Sequence, residues 1–273
     1  LMVPVKAIDS QRVRGNFSEH AGNYDSYASV QKRVVELLCG TLQDNLFFEG
    51  TLLDVGTGTG ALTAALQERS QGQKFVVMDI AHGMTQAATQ RLTGCTACDG
   101  DARLLPFADG AFAGVVSSSV YQWVDCLPSA FAEVVRVLKP GGAFAVALFG
   151  ERTLYELRTS HRKAMSEQKS NQLSHVQDFP SQKEVAQAIA DSGMSCQLLS
   201  STMEVEYHLD VPDLLRQLKQ IGASNASADR PKGLASRKVM QSMVALYEEA
   251  YLCAAGLPAS YEVIIAIAKK KMA

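Results

Sequence analysis

The chain has 273 residues, a formal net charge of −2 and 47% hydrophobic residues. This length and composition indicate a globular protein, and the nearly balanced charge gives no electrostatic reason to expect nucleic acid or an anionic membrane as a partner. There is no apolar run near 18 residues and no charged leader before an apolar stretch, so we expect a cytoplasmic protein without membrane spans.

Helices and strands alternate along the first 150 residues. Helical spacing of apolar residues predicts helices at 9–20, 24–40, 61–70, 83–92 and 127–138. Short apolar runs predict strands at 51–55, 74–80, 95–98, 113–119 and 143–149. Because these strands are apolar throughout, we expect a parallel sheet covered by helices on both faces.

The regular alternation of predicted strands and helices ends after residue 150. Helices are predicted at 152–168, 181–193, 211–222 and 236–256, and strands at 195–208 and 260–268. We predict one domain, 1–273, whose parts are an N-terminal helical cap (1–45), a core (50–150), helical insertions over one end of the sheet (151–180 and 208–256), and final strands (195–207 and 260–268). The one C-x-x-C pair, Cys95 and Cys98, lacks further ligands at metal-site spacing, so we expect no metal.

The segment "LLDVGTGTG", residues 52–60, predicts a strand, a tight turn and a helix start. Gly56, Gly58 and Gly60 allow a sharp turn and a close approach of backbone to ligand. A carboxylate at Asp54 would repel the pyrophosphate of a dinucleotide but would attract a cation. The pattern therefore favours S-adenosyl-L-methionine, which carries a sulfonium and an ammonium group, over NAD or FAD.

Two further acids follow successive strands. Asp79 ends the second strand, where it could accept hydrogen bonds from two ribose hydroxyls, or instead cap the next helix. Asp101 lies in the loop after the third strand, where it could hold the adenine amino group beside the Ala102 N–H, or instead be a solvated acid.

The successive motifs "LLDVGTGTG", "VVMDI", "GDARLLPFADGAF" and "EVVRVLKPGG" together resemble those of class I S-adenosylmethionine-dependent methyltransferases. The resemblance implies a Rossmann-like α/β fold with a seven-stranded, mostly parallel sheet, an antiparallel last strand at 260–268, and a helical lid. It also implies that Ile80 and Ser118 contact the cofactor.

The flanking segments resemble the malonyl-acyl-carrier-protein O-methyltransferases of biotin synthesis. The similarity includes "YQW" at 121–123, "TLYELR" at 153–158 and "IGASN" at 221–225. It implies methylation of the free carboxylate of a malonyl group on acyl carrier protein, or on coenzyme A, in an early step of biotin synthesis. His82 and Gly83 depart from the usual helix start of this family, and Tyr155 is a mild change.

A malonyl carboxylate is already ionised at pH 7, so the reaction needs no general base. The resemblance and side-chain chemistry point to Tyr24, Gln122, Trp123, Arg152 and Arg158 as residues that locate this carboxylate. The alternatives are core packing for Tyr24 and Trp123 and a solvated helix surface for the two arginines.

Acyl carrier protein is strongly acidic, so we expect a basic surface near the site. The candidate cations in the insertions are Arg216, Lys219, Arg230, Lys232, Arg237 and Lys238. An ordinary mixed-charge surface is the alternative, because Asp213 and Asp229 dilute the positive charge. Three other functions stay open: methylation of a small free acid, regulation through bound S-adenosylmethionine without turnover, and dinucleotide oxidoreduction.

Overall fold

The computed structural model describes residues 8–43, 49–70, 72–168, 178–223, 226 and 236–272. The helices are α1 (Ser10–His20), α2 (Tyr24–Tyr27), α3 (Ser29–Gln43), α4 (Ala61–Arg69), α5 (His82–Arg91), α6 (Leu127–Val137), α7 (Tyr155–Glu167), α8 (Gln182–Asp191), α9 (Val211–Gln220) and α10 (Arg237–Tyr251). The strands are β1 (Leu52–Val55), β2 (Phe75–Asp79), β3 (Thr96–Asp99), β4 (Phe112–Ser118), β5 (Leu138–Phe149), β6 (Ser195–His208) and β7 (Leu257–Lys269). A 3-10 turn, Tyr121–Trp123, follows β4.

The seven strands form one sheet in the order β3-β2-β1-β4-β5-β7-β6. The five strands from β3 to β5 are parallel, and β7 runs antiparallel to both β5 and β6. The prediction of a mostly parallel seven-stranded sheet with an antiparallel last strand is therefore confirmed. Strand order reverses between β1 and β4, which is where open sheets of this type bind ligands.

Helices cover both faces of the sheet. On one face, α3, α4, α7, α9 and α10 share a core that includes Val34, Leu38 and Met243. On the other, α6 and α8 bury Phe131 and Ile189. Of the helices that the structure describes, none is long and apolar enough to cross a membrane.

The prediction of a single helix at 24–40 is wrong, because the helix is interrupted at Ala28. This residue has φ −88° and ψ 44° and separates α2 from α3. α3 packs into the core through one apolar side, whereas α2 is tied to the turn after β1 by its Asp25 side chain. The break lets two neighbouring segments follow different surfaces.

The helix predicted from 152 begins at Tyr155 instead. The Glu262 side chain on β7 accepts a hydrogen bond of 2.8 Å from the Arg152 N–H. Leu154 then adopts a left-handed conformation, φ 51°, and its N–H bonds to the Ser260 carbonyl. The turn before α7 is thus fixed to β7, which delays the start of the helix.

Candidate active site

A cavity of about 1060 Å³, including the space at its open mouth, lies beyond the carboxyl ends of β1, β2 and β4. Its walls come from α1, α2, α3 and the segments after β1, β2, β3 and β4. The predicted site residues that line it are Tyr24, Asp54, Gly56, Gly58, Asp79, Ile80, Asp101, Ala102, Ser118 and Trp123. The predicted residues outside this lining are Gly60, Gln122, Arg152 and Arg158.

The three glycines after β1 serve different purposes. At Gly56, with φ 69°, a Cβ would lie 2.2 Å from Val120 Cγ2, so the close packing of the segment after β4 against this turn requires glycine. At Gly58, with φ 57°, a Cβ would meet no atom of the described residues within 4 Å. Gly58 therefore leaves its backbone open to a ligand, whereas Gly60 packs against Leu92.

Asp54, at the end of β1, is 1% exposed and lines the cavity. Its Oδ2 accepts hydrogen bonds from Thr63 Oγ1 at 2.6 Å and Thr57 Oγ1 at 2.9 Å. Burial raises the pKa of Asp54 to about 6, with a further contribution from the charge of Asp79, although the threonine hydrogen bonds oppose the shift.

Asp79, at the end of β2, connects two elements of the site. Its Oδ2 accepts from the Gly58 N–H at 2.9 Å, and its Oδ1 accepts from the Ala81 N–H at 2.8 Å. Burial raises the pKa of Asp79 to about 6, although the backbone hydrogen bonds oppose the shift. The N-cap of α5 is Ala81, so Asp79 does not cap that helix; it holds the residue before the helix and also braces the glycine turn.

Asp54 and Asp79 together make this part of the cavity negative. Both carboxylates are mainly ionised at neutral pH, because that is above their raised pKa values. Ionising two buried, neighbouring acids costs free energy, and a bound cation would offset that cost. Donors with a sulfonium and an ammonium group match this environment better than a dinucleotide does.

Asp101 is partly exposed and is held by a neighbouring arginine. Its oxygens accept from the Arg103 backbone N–H at 2.9 Å and from Arg103 Nη2 at 2.7 Å. Burial opposes ionisation, but these hydrogen bonds and the arginine charge hold the pKa of Asp101 below its usual value. Ala102, next along the cavity wall, is 8% exposed.

Tyr24 covers the cavity from α2. Burial raises the pKa of Tyr24 far above its usual value, and the charges of Asp79 and Asp25 add to this effect. Its hydroxyl is therefore protonated and can donate a hydrogen bond. α2 is held by Asp25, which accepts from Thr59 Oγ1 at 2.7 Å and pairs with Arg91 at 3.2 Å.

Phe17 of α1, Tyr24 and Trp123 form an aromatic wall on one side of the cavity. The Phe17 and Trp123 rings meet edge to face at 5.6 Å, and the Phe17 and Tyr24 centroids lie 6.4 Å apart. Gln122, beside Trp123, is buried and donates from Nε2 to the Ser119 carbonyl at 2.8 Å. Its side chain thereby supports the turn after β4.

The two predicted arginines lie away from the cavity lining. Arg158 Nη2 pairs with Asp178 Oδ1 at 2.9 Å, and the Arg158 guanidinium also donates to the Glu151 carbonyl. Arg152 is exposed, and its backbone N–H is bound to Glu262. A contact between either guanidinium and an acceptor carboxylate stays a prediction.

Several lining residues were not predicted from the sequence: Phe17, Asp25, Lys32 and Ser119. Lys32 lies on α3 and donates from Nζ to the Asp25 carbonyl at 2.7 Å. The signal that could have found Phe17 and Asp25 was their nearness to Tyr24 in a segment rich in aromatic and polar residues. The sequence contains no such signal for Lys32, which lies in a segment with the pattern of a helix surface, or for Ser119, which lies at the end of a predicted strand.

Comparisons with known proteins show which proteins the chain is similar to. A family model described as a methyltransferase domain matches residues 53–146. The chain is 41% identical to a malonyl-[acyl-carrier protein] O-methyltransferase of Geobacter sulfurreducens, over 96% of this chain and 100% of that protein. It is 35% identical to a biotin biosynthesis bifunctional protein BioHC of Cellvibrio japonicus, over 94% of this chain and 49% of that protein.

Among solved structures, one similar chain comes from the complex between the Haloferax volcanii Trm112 methyltransferase activator and a methyltransferase. The TM-score is 0.61 at 18% sequence identity, with 96% of this chain and 98% of that chain covered. At this identity the likeness shows the fold, and it confirms the predicted methyltransferase architecture.

Proposed function

The chain belongs to the malonyl-[acyl-carrier protein] O-methyltransferase family, and on that premise we propose that it methylates the free carboxylate of a malonyl group on acyl carrier protein. S-adenosyl-L-methionine is the methyl donor. The observation that carries the proposal is the pair of buried acids, Asp54 and Asp79, beside the open backbone of Gly58.

The cavity suits the methyl donor in both charge and shape. When bound, S-adenosyl-L-methionine supplies a methyl group on a cationic sulfur, which a carboxylate oxygen takes while the C–S bonding electrons stay with sulfur. We propose that Asp54 and Asp79 hold the positively charged and ribose portions, as the sequence predicted. Asp101 and the Ala102 N–H would hold the adenine, with Ile80 and Ser118 as neighbouring contacts.

The acceptor needs a position and dry surroundings more than it needs a base. A malonyl carboxylate is ionised at neutral pH, so no proton has to be removed. We propose that the neutral Tyr24 hydroxyl donates a hydrogen bond to this carboxylate and that Phe17 and Trp123 exclude water from it. The Gln122 amide fixes the turn that carries Trp123.

Esterification removes the negative charge of the malonyl group. The product then resembles an ordinary apolar acyl chain, which fatty-acid enzymes can elongate, and this accounts for a place early in biotin synthesis. We propose that malonyl-coenzyme A also serves as an acceptor because its reacting end is identical. We also propose a cytoplasmic location, in keeping with six cysteines that are all free thiols.

The decisive experiment is incubation with methyl-labelled S-adenosyl-L-methionine and malonyl-carrier protein, followed by mass analysis of the pantetheine arm. We expect a gain of one methyl group, with none on the acetyl-carrier control. Equal rates with a short malonyl thioester would favour a small-molecule methyltransferase. Donor binding without any turnover would favour a regulatory protein.

A further inference from the structure

Three consecutive serines at the end of β4 differ in how their hydroxyls are bonded. Ser117 Oγ donates to the Val55 carbonyl at 2.8 Å. The buried Oγ atoms of Ser118 and Ser119 have no hydrogen-bond partner among the residues that the structure describes. Both residues line the cavity. Since an unpaired buried hydroxyl costs free energy, a ligand that accepts hydrogen bonds would be stabilised here.

The backbone of Ser119 is held in an unusual conformation. Its φ is 60°, a value that residues other than glycine seldom adopt. Its N–H donates to the Ala147 carbonyl at 2.8 Å, and its own carbonyl accepts from Gln122 Nε2 at 2.8 Å. Strained residues of this kind gather at functional sites, and here two hydrogen bonds fix the position from which the side chain extends.

The location of Ser119 suits an anion better than a cation. It follows β4, next to Val120 and close to Trp123, whereas the acids Asp54 and Asp79 end β1 and β2. An acceptor carboxylate is repelled by these acids and is better placed on the β4 side of the cavity. A neutral hydroxyl can hold it without cancelling the charge that makes it nucleophilic.

We propose that the Ser119 hydroxyl donates a hydrogen bond to the acceptor carboxylate, through the oxygen that is not methylated, and so helps the enzyme select an acid over a neutral acyl group. This inference rests on the proposed function, which supplies a carboxylate acceptor. Ser118 keeps its predicted contact with the methyl donor, so the two unpaired hydroxyls serve different ligands.

The test compares Ser119→Ala with Ser117→Ala, the same change two residues earlier, within β4. For Ser119→Ala we expect kcat/KM for malonyl-carrier protein to fall about 10- to 100-fold, with affinity for S-adenosyl-L-homocysteine unchanged. The ratio of the affinities of Ser119→Ala for malonyl- and acetyl-carrier protein should be smaller than that of the wild type. Ser117→Ala should lower Tm, because it removes the hydrogen bond to the Val55 carbonyl, but it should leave kcat/KM of the folded enzyme nearly intact.

A second variant, Ser119→Gly, guards against a folding defect, because glycine accepts the positive φ and also lacks the hydroxyl. It should show the same loss of kcat/KM as Ser119→Ala. Wild-type kinetics in both variants would overturn the role of Ser119 while leaving the proposed function intact. A matching loss of S-adenosyl-L-homocysteine affinity would reassign the hydroxyl to the methyl donor. A wild-type enzyme that forms no malonyl ester would remove the function and this inference together.

Discussion

Thr59 Oγ1 donates a hydrogen bond of 2.7 Å to Asp25 Oδ1, and this bond joins α2 to the glycine turn. The two residues are 34 positions apart in the chain. Asp25 immediately follows Tyr24, so the bond also sets where the Tyr24 ring lies over the cavity. The donor-binding turn and the helix that covers it are therefore mechanically connected.

We expect Asp25→Ala to weaken S-adenosyl-L-homocysteine binding by roughly 3- to 10-fold, because one lost hydrogen bond to a charged group is worth about 1 kcal/mol or more. Isothermal titration calorimetry would measure the change. The matched control is Arg91→Gln, which removes only the exposed ion pair to Asp25. Such a pair contributes little, so affinity should change less than 2-fold. Equal losses in the two variants would contradict a specific role for the bond to Thr59.

Asp54→Asn should weaken donor binding and at the same time stabilise the free protein. The amide keeps the size of the carboxylate but removes a buried charge whose pKa lies about two units above its ordinary value, so we expect a gain of about 1 to 3 kcal/mol in unfolding free energy at pH 8. Denaturant unfolding and calorimetry with S-adenosyl-L-methionine would measure both quantities. Glu68→Gln, which changes an exposed acid on α4 outside the lining, is the control and should alter neither quantity.

The same acid gives a pH dependence with a defined sign. The pKa of Asp54 is raised from 3.8 to about 6 in the folded protein, so the folded protein binds a proton at this carboxylate more tightly than the unfolded chain does. The stability that protonated Asp54 contributes is complete below pH 3.8 and is lost as pH rises through about 6. The stability difference between Asp54→Asn and wild type should therefore grow between these values and then level off. A difference that is constant with pH would contradict the raised pKa.

Donor binding should show the opposite trend. The cationic donor prefers ionised Asp54 and Asp79, so its affinity should increase from pH 5 to pH 7 and its binding near pH 6 should release protons. Titrations in buffers of different ionisation enthalpy measure the number released. S-adenosyl-L-homocysteine, which lacks the sulfonium, should release fewer. Proton uptake on donor binding would be inconsistent with the assigned roles of the two acids.

Trp123 is the only tryptophan of the chain and lies on the aromatic wall, so intrinsic fluorescence should report directly on the cavity. We expect a saturable change in emission on titration with S-adenosyl-L-homocysteine. Trp123→Phe should abolish the signal. Phe17→Leu should shift the emission of the free protein, because Trp123 loses its edge-to-face neighbour. An emission spectrum insensitive to both ligand and Phe17→Leu would contradict this placement.

The proposed carrier-protein surface includes Lys219 and Lys238, which are exposed on α9 and α10. The end of α9 packs on α1, since a Cβ at Gly222 would lie 3.0 Å from the Asn16 carbonyl oxygen, so this surface adjoins the cover of the cavity. Two other proposed cations, Arg230 and Lys232, lie outside the described residues. Arg216 is partly neutralised by Asp213 at 3.1 Å.

Lys238→Glu should lower kcat/KM for malonyl-carrier protein several-fold at low salt, and the loss should diminish as salt screens the attraction. Steady-state kinetics with a short malonyl thioester should be unaffected. The matched control is Lys183→Glu, an exposed cation on α8 across the sheet, which should behave as wild type. Similar losses in both variants would argue against a defined carrier surface.

The core of the fold was predictable because its signals are local. The strands at 51–55, 74–80 and 113–119 are short apolar runs, and the acids at their ends follow directly in the sequence. The cavity accordingly contains the predicted acids Asp54 and Asp79. Periodicity and spacing suffice where neighbouring residues in the chain determine the structure.

The parts that could not be predicted depend on contacts between distant residues. The interruption at Ala28 directly follows the short helix that the bond between Asp25 and Thr59 holds in place. No local pattern in the sequence predicts this interruption. The Arg158 side chain is directed by Asp178, 20 residues away. The unpaired Ser119 hydroxyl is visible only once the strand end and the cavity are placed together.

The position of β7 between β5 and β6 has a consequence for the order of synthesis. β6 leaves the ribosome before the strand that joins it to β5, so a growing chain carries an open edge on β5 and an unattached β6 until β7 appears. Open strand edges recruit wrong partners. Premature termination within α10 should thus yield a fragment that aggregates and depends on chaperones, and not an enzyme of lower stability.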